Sequence, residues 1–269
     1  MIGWIKYFVR PIFYKVRLSG KFLFTNTYQD STIIKMLNDS RFQDIAHIIN
    51  NYKFVGDELL TTHCVDFAQE LKFKYSIENC YEGVVESLAC SARKDLLWRY
   101  HICSWAAKRC CSIDGDFVEL GVWYGLLSHV MCNYIDIDKT NKTFWLVDSW
   151  GKIEGSHPNP AYEKDIYHIV NERFRKWKNV KLIRGLVPEA LNEISSSKIA
   201  YLGIDMNSSK PERLALEFFY DKIQPGGVIF FDDYGWGYPE LRYEVDDFLK
   251  DKPEKLLHFP SGNSILIKE

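Results

Sequence analysis

The chain of 269 residues lacks the features that would place it in several large classes of protein. It has no apolar run of the roughly 18–20 residues that a transmembrane helix needs. Its formal net charge is only −2, so the composition gives no general case for nucleic-acid binding. It has no internal repeat and no low-complexity tract. With 46% hydrophobic and 26% charged residues, it has the composition of a soluble globular protein.

Cysteine pairs with a redox or metal-ligand spacing are also absent. The count of seven is odd, no C-x-x-C pair exists, and all seven cysteines lie in the first half of the chain. We therefore expect reduced core residues in a cytoplasmic protein, and no zinc site. The residues concerned are Cys64, Cys80, Cys90, Cys103, Cys110, Cys111 and Cys132.

The first 24 residues contain no acidic residue, although they contain five basic ones and many aromatics. They lack the long uniform apolar core and the small-residue cleavage site of a signal peptide. A basic aromatic segment of this kind can lie on an anionic membrane surface. The alternative is a helix packed on the domain or on a second subunit, and periodicity does not separate the two. The basic residues are Lys6, Arg10, Lys15, Arg17 and Lys21.

The hydrophobic pattern changes near residue 113. Residues 1–112 have apolar residues at three- and four-residue spacing, which predicts a mostly helical extension. We expect this extension to supply a lid and contacts to the substrate of the second region. Residues 113–269 alternate short apolar strands with amphipathic helices five times and close with two strands joined by "PSGN". This pattern predicts an α/β fold with a doubly wound, seven-stranded, mostly parallel sheet and a C-terminal antiparallel hairpin. That Rossmann-like layout is typical of class I methyltransferases.

The first strand of this domain leads into the turn "ELGVWYG". Glu119 precedes Gly121 and Gly125, and glycines at such a turn allow the backbone to approach a ligand closely. The G-x-G-x-x-G fingerprint of dinucleotide-binding enzymes is absent, which argues against an NAD-dependent oxidoreductase. A carboxylate before the glycine would repel a pyrophosphate, whereas it suits a cation such as the amino group of S-adenosylmethionine (SAM).

The second and third strands offer further candidates for the cofactor. Asp148, followed by Ser149, ends the second strand, where an acidic residue often takes both hydroxyls of a ribose. A helix N-cap is an equally good interpretation of Asp148 alone. Gly185 and Leu186 follow the third strand and are expected to line the adenine.

Three carboxylates follow the fourth and fifth strands. Asp205 closes "YLGID", and Asp232 and Asp233 end "GVIFFDD", one strand-helix-strand step later. Since the carboxyl ends of neighbouring parallel strands meet at one edge of the sheet, we expect the three side chains to converge. Converging carboxylates repel one another and raise their pKa values unless a cation joins them. Oxygen ligands of this type suit Mg²⁺ or another hard divalent cation.

Four stretches together resemble the TylF/MycF (macrocin O-methyltransferase) family: "GDFVELGVWYG", "FWLVDSWG", the segment from Gly203 to Trp236, and "FPSGNSILIK". The resemblance covers about residues 115–269. It implies a SAM- and Mg²⁺-dependent sugar O-methyltransferase in which Asp205, Asp232 and Asp233 bind the metal. It further implies that Glu119, Gly121 and Asp148 contact SAM. The residues after Gly125, "LLS", are larger than is usual in the family.

The expected reaction is transfer of a methyl group to a sugar hydroxyl, with Asp205 also accepting the proton. His157, His168 and His258 are alternative bases, although a structural or solvated role is expected for each. Trp150, Tyr234 and Trp236 are candidates for stacking on a sugar, with ordinary packing as the alternative. A catechol- or phenol-type O-methyltransferase and a non-catalytic glycan-binding protein stay open as other functions. A homo-oligomer is expected.

Overall fold

The computed structural model describes residues 13–18, 21–26, 53–55, 58–60, 97–151, 165–235, 239–259 and 261–269. The chain divides into two units. One consists of residues 1–55 with 59–65, and the other of residues 56–58 with 66–269. The larger unit includes the helix that begins at Leu97, which sequence analysis assigned to the extension before residue 113.

Four short strands lie in the N-terminal part of the chain. β1 (Phe13–Leu18) pairs antiparallel with β2 (Lys21–Asn26), and β3 (Lys53–Val55) pairs with β4 (Glu58–Leu60). The prediction that residues 1–112 are mostly helical is wrong at these strands. "FYKVRL" and "KFLFTN" are rich in aromatic and β-branched residues, which pack well on a pleated surface. Their connection has the sequence Ser-Gly, a dipeptide typical of turns. Membrane contact through residues 1–24 stays a prediction.

The described part of the larger unit alternates helices and strands. In chain order these are α1 (Leu97–Cys110), β5 (Asp116–Leu120), α2 (Leu126–Ile135), β6 (Phe144–Asp148), α3 (Tyr167–Phe174), β7 (Val180–Arg184), β8 (Ile199–Ile204), α4 (Ser209–Phe219), β9 (Ile223–Phe231), α5 (Pro239–Leu249), β10 (Leu257–His258) and β11 (Ser264–Ile267). Short 3-10 helices cover Ile137–Lys139, Glu189–Glu193 and Tyr220–Lys222. The stretch "VPEALNEI", expected to be a helix, is therefore only a 3-10 helix.

The seven strands β5 to β11 form one sheet in the order β10-β11-β9-β8-β5-β6-β7. β5 to β9 are parallel to one another, whereas β11 is antiparallel to β9 and forms a closing hairpin with β10. The predicted fold class is confirmed. The strand order reverses between β5 and β8, and ligands of open α/β sheets bind at the carboxyl ends of the strands at such a point.

The sheet is covered on both faces. All six residues of the central strand β8 are buried, which explains its uninterrupted apolar sequence, while the edge strand β7 has both buried and exposed residues. Neighbouring residues of one strand enter different cores: Phe117 packs in the cluster that includes α1 and α2, and Val118 in the cluster that includes α4 and α5. Two packed layers of helices thus fix the positions of the strand ends.

The cysteines of the described residues carry no disulfide. Cys103, Cys110 and Cys132 are buried thiols, and Cys111 is half-buried. Cys64, Cys80 and Cys90 lie outside the described residues. None of the described helices is both long enough and apolar enough to cross a membrane.

Candidate active site at the carboxyl ends of the central strands

The structure brings Asp205, Asp232 and Asp233 together. Asp205 follows β8 and Asp232 follows β9, and the ladder continues past both strand ends, because the Asp232 amide donates to the carbonyl of Ile204 at 3.0 Å. One carboxylate oxygen from each residue lies within 4.8 Å of the other two. Parallel strands in register place consecutive strand ends side by side, as the sequence analysis assumed.

These carboxylates are withdrawn from water. Asp232 is 1% exposed and Asp233 9%, and Asp205 is half-buried. Desolvation raises the pKa of Asp205 well above its ordinary value, and the negative charges of Asp232 and Asp233 raise it further, whereas the charge of Arg99 acts in the opposite direction. The Asn207 amide donates to Asp205 Oδ1 at 3.2 Å. Because crowding disfavours the ionised forms, a hard cation would relieve the strain of holding them together.

A glycine turn brings the end of β5 against Asp205. Gly121 has a φ of 82°, and a Cβ atom on it would lie 1.7 Å from the Asp205 carbonyl oxygen. Gly125, with a φ of 73°, begins α2, and a Cβ atom there would lie 2.4 Å from the Phe174 ring. Only glycine avoids both the unfavourable φ and the overlap. Gly121 therefore allows the close approach of β5 and β8 at the switch point, and Gly125 allows the start of α2 to pack on Phe174.

Asp148 joins the end of β6 to this turn. Its Oδ2 accepts bonds from the amides of Val122 and Trp123 at 2.7 and 2.8 Å, and its Oδ1 accepts a bond from the amide of Trp150 at 2.7 Å. Ser149 donates its hydroxyl to the Gly151 carbonyl at 3.1 Å. Asp148 thus shapes the turn directly, which neither the ribose interpretation nor the N-cap interpretation included. Ribose binding by Asp148 and cofactor binding by Ser149 stay predictions.

The family whose profile matches the chain is described as macrocin O-methyltransferase (TylF), and the match covers residues 105–256, more than half of the sequence. The chain belongs to this family. It is therefore a SAM-dependent O-methyltransferase of a family that acts on sugars and natural products, as the resemblance implied. No curated protein sequence matches it significantly.

Solved structures show the same fold. The O-methyltransferase NovP is similar with a TM-score of 0.55 and 20% identity, over 63% of this chain and 79% of NovP. CalS11, described as a TDP-rhamnose 3′-O-methyltransferase of calicheamicin biosynthesis, has a TM-score of 0.53 and 14% identity over 73% of this chain and 93% of its own. The methyltransferase sheet is thus common to all three, while the sequences have diverged widely.

Glu119, the carboxylate of the turn "ELGVWYG", is buried. It is 4% exposed, and the Ser128 hydroxyl of α2 donates to its Oε2. Burial raises the pKa of Glu119 to about 8, and the negative charges of Asp232 and Asp148 contribute in the same direction. A contact between Glu119 and the amino group of SAM stays a prediction.

Glu119 should make the unfolding free energy fall with rising pH. The folded-state pKa of about 8 lies above the ordinary value of 4.5, so its stabilising contribution is complete below about pH 4.5 and is lost as the pH rises through about 8. We expect Glu119→Gln, which cannot ionise, to lose less stability than wild type between pH 5 and pH 8. Thermal unfolding in EDTA measures this, with the exposed Glu193→Gln as the matched control. Parallel curves for wild type and Glu119→Gln would contradict it.

The third strand end has one half-buried and one exposed candidate, Gly185 and Leu186. A Cβ atom on Gly185 would lie 2.9 Å from the Ala190 Cβ atom, so Gly185 allows β7 to pack closely on the following 3-10 helix. Leu186 is 48% exposed, which is unusual for a large apolar side chain in this protein. An apolar surface at this strand end fits an adenine ring, and the role of both residues stays a prediction.

The aromatic and histidine candidates take mostly structural positions. Trp150 is fully buried and donates its indole N–H to the Trp123 carbonyl at 2.9 Å, so packing and not sugar stacking describes it. Tyr234 is buried, donates its hydroxyl to Asp246 at 2.6 Å and stacks on His258. His258 also bonds Ser264, and His168 is exposed on α3. Trp236 and His157 lie outside the described residues.

Two residues that sequence analysis missed contact the carboxylates. Arg99 of α1 donates to Asp232 Oδ2 at 2.5 Å, and Asn263, before β11, donates to Asp232 Oδ1 at 3.0 Å. Arg99 stood in a predicted helix rich in basic residues, with nothing in its spacing to distinguish it. Asn263 carried one signal, since it lies in "FPSGNSILIK", one of the stretches that resembled the family.

Proposed function

We propose that this enzyme methylates a sugar hydroxyl in a reaction that requires a divalent cation bound by Asp205, Asp232 and Asp233. The observation that carries the proposal is the approach of three carboxylate oxygens to within 4.8 Å of one another in a largely buried place. Mg²⁺ prefers oxygen ligands of this kind and commonly binds through a few carboxylates while keeping sites for water or substrate. The donor set therefore fits such an ion.

The chemistry divides between bound groups and the chain. SAM supplies an activated methyl group, and a divalent cation, when bound, lowers the pKa of a coordinated hydroxyl. In this proposal Asp205, Asp232 and Asp233 would hold the cation, and Asp205 would also accept the hydroxyl proton as general base.

The acceptor is proposed to be a sugar on a nucleotide, a glycan precursor or a natural product. Membership of the family supports this, and CalS11, which shares the fold, is described as acting on TDP-rhamnose. The pair Asp232-Asp233 also favours a sugar over a phenolic acceptor. Catechol-type methyltransferases have a similar acidic arrangement on the same two strands, but with Asp-Asn at the second strand. A cavity of about 350 Å³ is lined by Tyr234, which follows Asp233 in the chain, and by Arg242 and Tyr243. Tyr243 is 68% exposed and offers a ring face for a sugar.

Removal of divalent cations should abolish turnover. We expect EDTA to lower methyl transfer from SAM at least 100-fold, since coordination of the reacting hydroxyl supplies several kcal/mol to the transition state. Added Mg²⁺ should restore it. The assay uses radiolabelled SAM with a panel of nucleotide sugars and catechol as acceptors, and calorimetry with SAM as the check for an intact cofactor site.

Two results would overturn the proposal. Unchanged turnover in EDTA would show that the reaction needs no divalent cation. Methylation of catechol, with no methylation of any nucleotide sugar, would show that the acceptor is a phenol and not a sugar.

A further inference from the structure

Asp232 is held by two donors from outside the carboxylate cluster. Arg99 Nη1 lies 2.5 Å from its Oδ2. The side-chain amide of Asn263 donates both to its Oδ1 at 3.0 Å and to its main-chain carbonyl at 2.6 Å. Arg99 is 9% exposed and Asn263 1%, so both contacts lie inside the protein. Each oxygen of one proposed metal ligand therefore has a fixed donor.

The C-terminal turn fixes Asn263. Ser264 pairs with Phe231 in the antiparallel ladder of β11 and β9, which places Asn263 opposite Asp232. The Ser261 hydroxyl donates to Asn263 Oδ1 at 2.8 Å and so orients the amide with its nitrogen toward Asp232. The loop after Asp233 is attached to the same turn, through a bond of 2.7 Å from the amide of residue 235 to the carbonyl of residue 262.

The helix α1 fixes Arg99. Its neighbours Tyr100 and Cys103 are fully buried, and the Tyr201 hydroxyl of β8 lies 3.6 Å from the Cys103 sulfur. Arg99 occupies the first turn of α1, at the end nearer the carboxylates, while Arg109 at the other end bonds the Gly226 carbonyl near the start of β9. The guanidinium is thus carried to Asp232 by a helix packed on the sheet.

We infer that Arg99 and Asn263 are positioning residues that set the orientation of the Asp232 carboxylate and thereby the affinity for a divalent cation. The inference rests on the proposed function of the carboxylate cluster. Partners that hydrogen-bond a metal-ligating carboxylate determine its orientation, and their loss typically weakens metal binding 10–100-fold. A carboxylate oxygen accepts more than one bond, so neither donor excludes a cation from the same carboxylate.

Stability alone is a poor explanation for the buried pair. An arginine and a carboxylate taken out of water lose hydration free energy that their attraction often only balances, so such a pair contributes little to folding. The pair does fix the orientation of the carboxylate, because the planar guanidinium holds an acceptor in a defined geometry. The flexible ammonium of lysine does not reproduce that geometry. Positioning is therefore the property to be tested, separately from charge.

Two charge-preserving substitutions separate orientation from electrostatics. Asn263→Ala removes a neutral donor, and Arg99→Lys keeps the positive charge but loses the fork geometry. In the metal-free full-length protein we expect each to weaken Mn²⁺ binding by about 10–100-fold, measured by electron paramagnetic resonance titration. The spectrum of bound Mn²⁺ should also change, since its zero-field splitting follows the arrangement of ligands.

The controls are matched to each substitution. Arg109→Lys makes the same change at the other end of α1, and Asn192→Ala makes it on an exposed 3-10 helix. Both should bind Mn²⁺ as wild type does. Thermal unfolding and calorimetric binding of S-adenosylhomocysteine establish that the variants are folded. If Asn263→Ala does not fold, the test rests on Arg99→Lys.

The outcomes for this inference and for the proposed function differ. Wild-type protein that binds no Mn²⁺ would overturn the metal site itself, and the positioning role with it. Wild-type protein that binds Mn²⁺, together with a folded Arg99→Lys or Asn263→Ala variant of unchanged affinity and spectrum, would overturn only the positioning role of that residue.

Discussion

Asp205→Asn should reduce kcat/KM by about 10³-fold while leaving the protein at least as stable as wild type. The asparagine keeps the size of the side chain but removes both the charge that would bind a cation and the proton acceptor, and general-base catalysis alone contributes about 10²–10⁴-fold. Stability should hold or rise, because burial and two neighbouring carboxylates already disfavour an ionised Asp205. Steady-state kinetics and thermal unfolding measure the two effects.

Because kcat/KM should fall while stability does not, Asp205→Asn separates a catalytic role of Asp205 from a structural one. Asp221→Asn is the matched control, since Asp221 is exposed in the 3-10 helix directly before β9, at the amino end of that strand. It should leave both kcat/KM and the unfolding temperature unchanged. If Asp205→Asn retained activity within tenfold of wild type, Asp205 could not be the base, whatever became of its part in binding metal.

Gly121→Ala should destabilise the protein and inactivate it together. An L residue at a φ of 82° is strained by about 1–2 kcal/mol, and forcing an extra carbon into a packed place costs about 1–3 kcal/mol more. The new Cβ atom would overlap the Asp205 carbonyl oxygen at 1.7 Å, so β5 and β8 must separate. Because a displacement of about 1 Å can cost 10²-fold in rate, we expect at least that loss of kcat/KM.

Gly151→Ala is the matched control for the turn. Gly151 has no positive φ, and the nearest atom to its added Cβ would be Arg184 Nη2 at 3.2 Å, the far end of a flexible side chain. The change in unfolding free energy should stay within about 1 kcal/mol, since alanine at an unstrained φ contributes about 0.4–1 kcal/mol through the unfolded chain. Urea denaturation and kinetics on both variants test the comparison, and a fully active Gly121→Ala protein would mean that the turn is more compliant than the structure indicates.

The fold of residues 113–269 could be predicted because its signals are local. The run "VKLIR" forms β7 with the expected bounds, and "DFVEL" forms β5. A buried parallel strand must be apolar along its whole length, so the sequence records it directly. The N-terminal part gave the wrong result at β1 to β4, because short segments with apolar residues at mixed spacings fit a helix and a strand nearly equally well.

The carboxylate cluster could also be predicted, since the rule that joins strand ends needs only strand order and direction. Asp205 and Asp232 lie on consecutive strands β8 and β9, so counting strands was enough to bring them together. The interpretation of Trp150 as a sugar platform shows the limit of this method. A tryptophan after a strand can turn inward or outward, and only the packing around it, here on Tyr167 of α3, decides which.

The sequence by itself determined the alternation of strands and helices, the terminal hairpin and the convergence of three aspartates. Only the tertiary structure decided what surrounds them. Arg99 and Asp232 are separated by 133 residues, and Asn263 comes 31 residues after Asp232. No periodicity encodes such pairs, because they form only when a helix packs on the sheet and a returning strand comes into register beside β9. Side-chain contacts between distant elements are products of packing, and it is packing that completes this site.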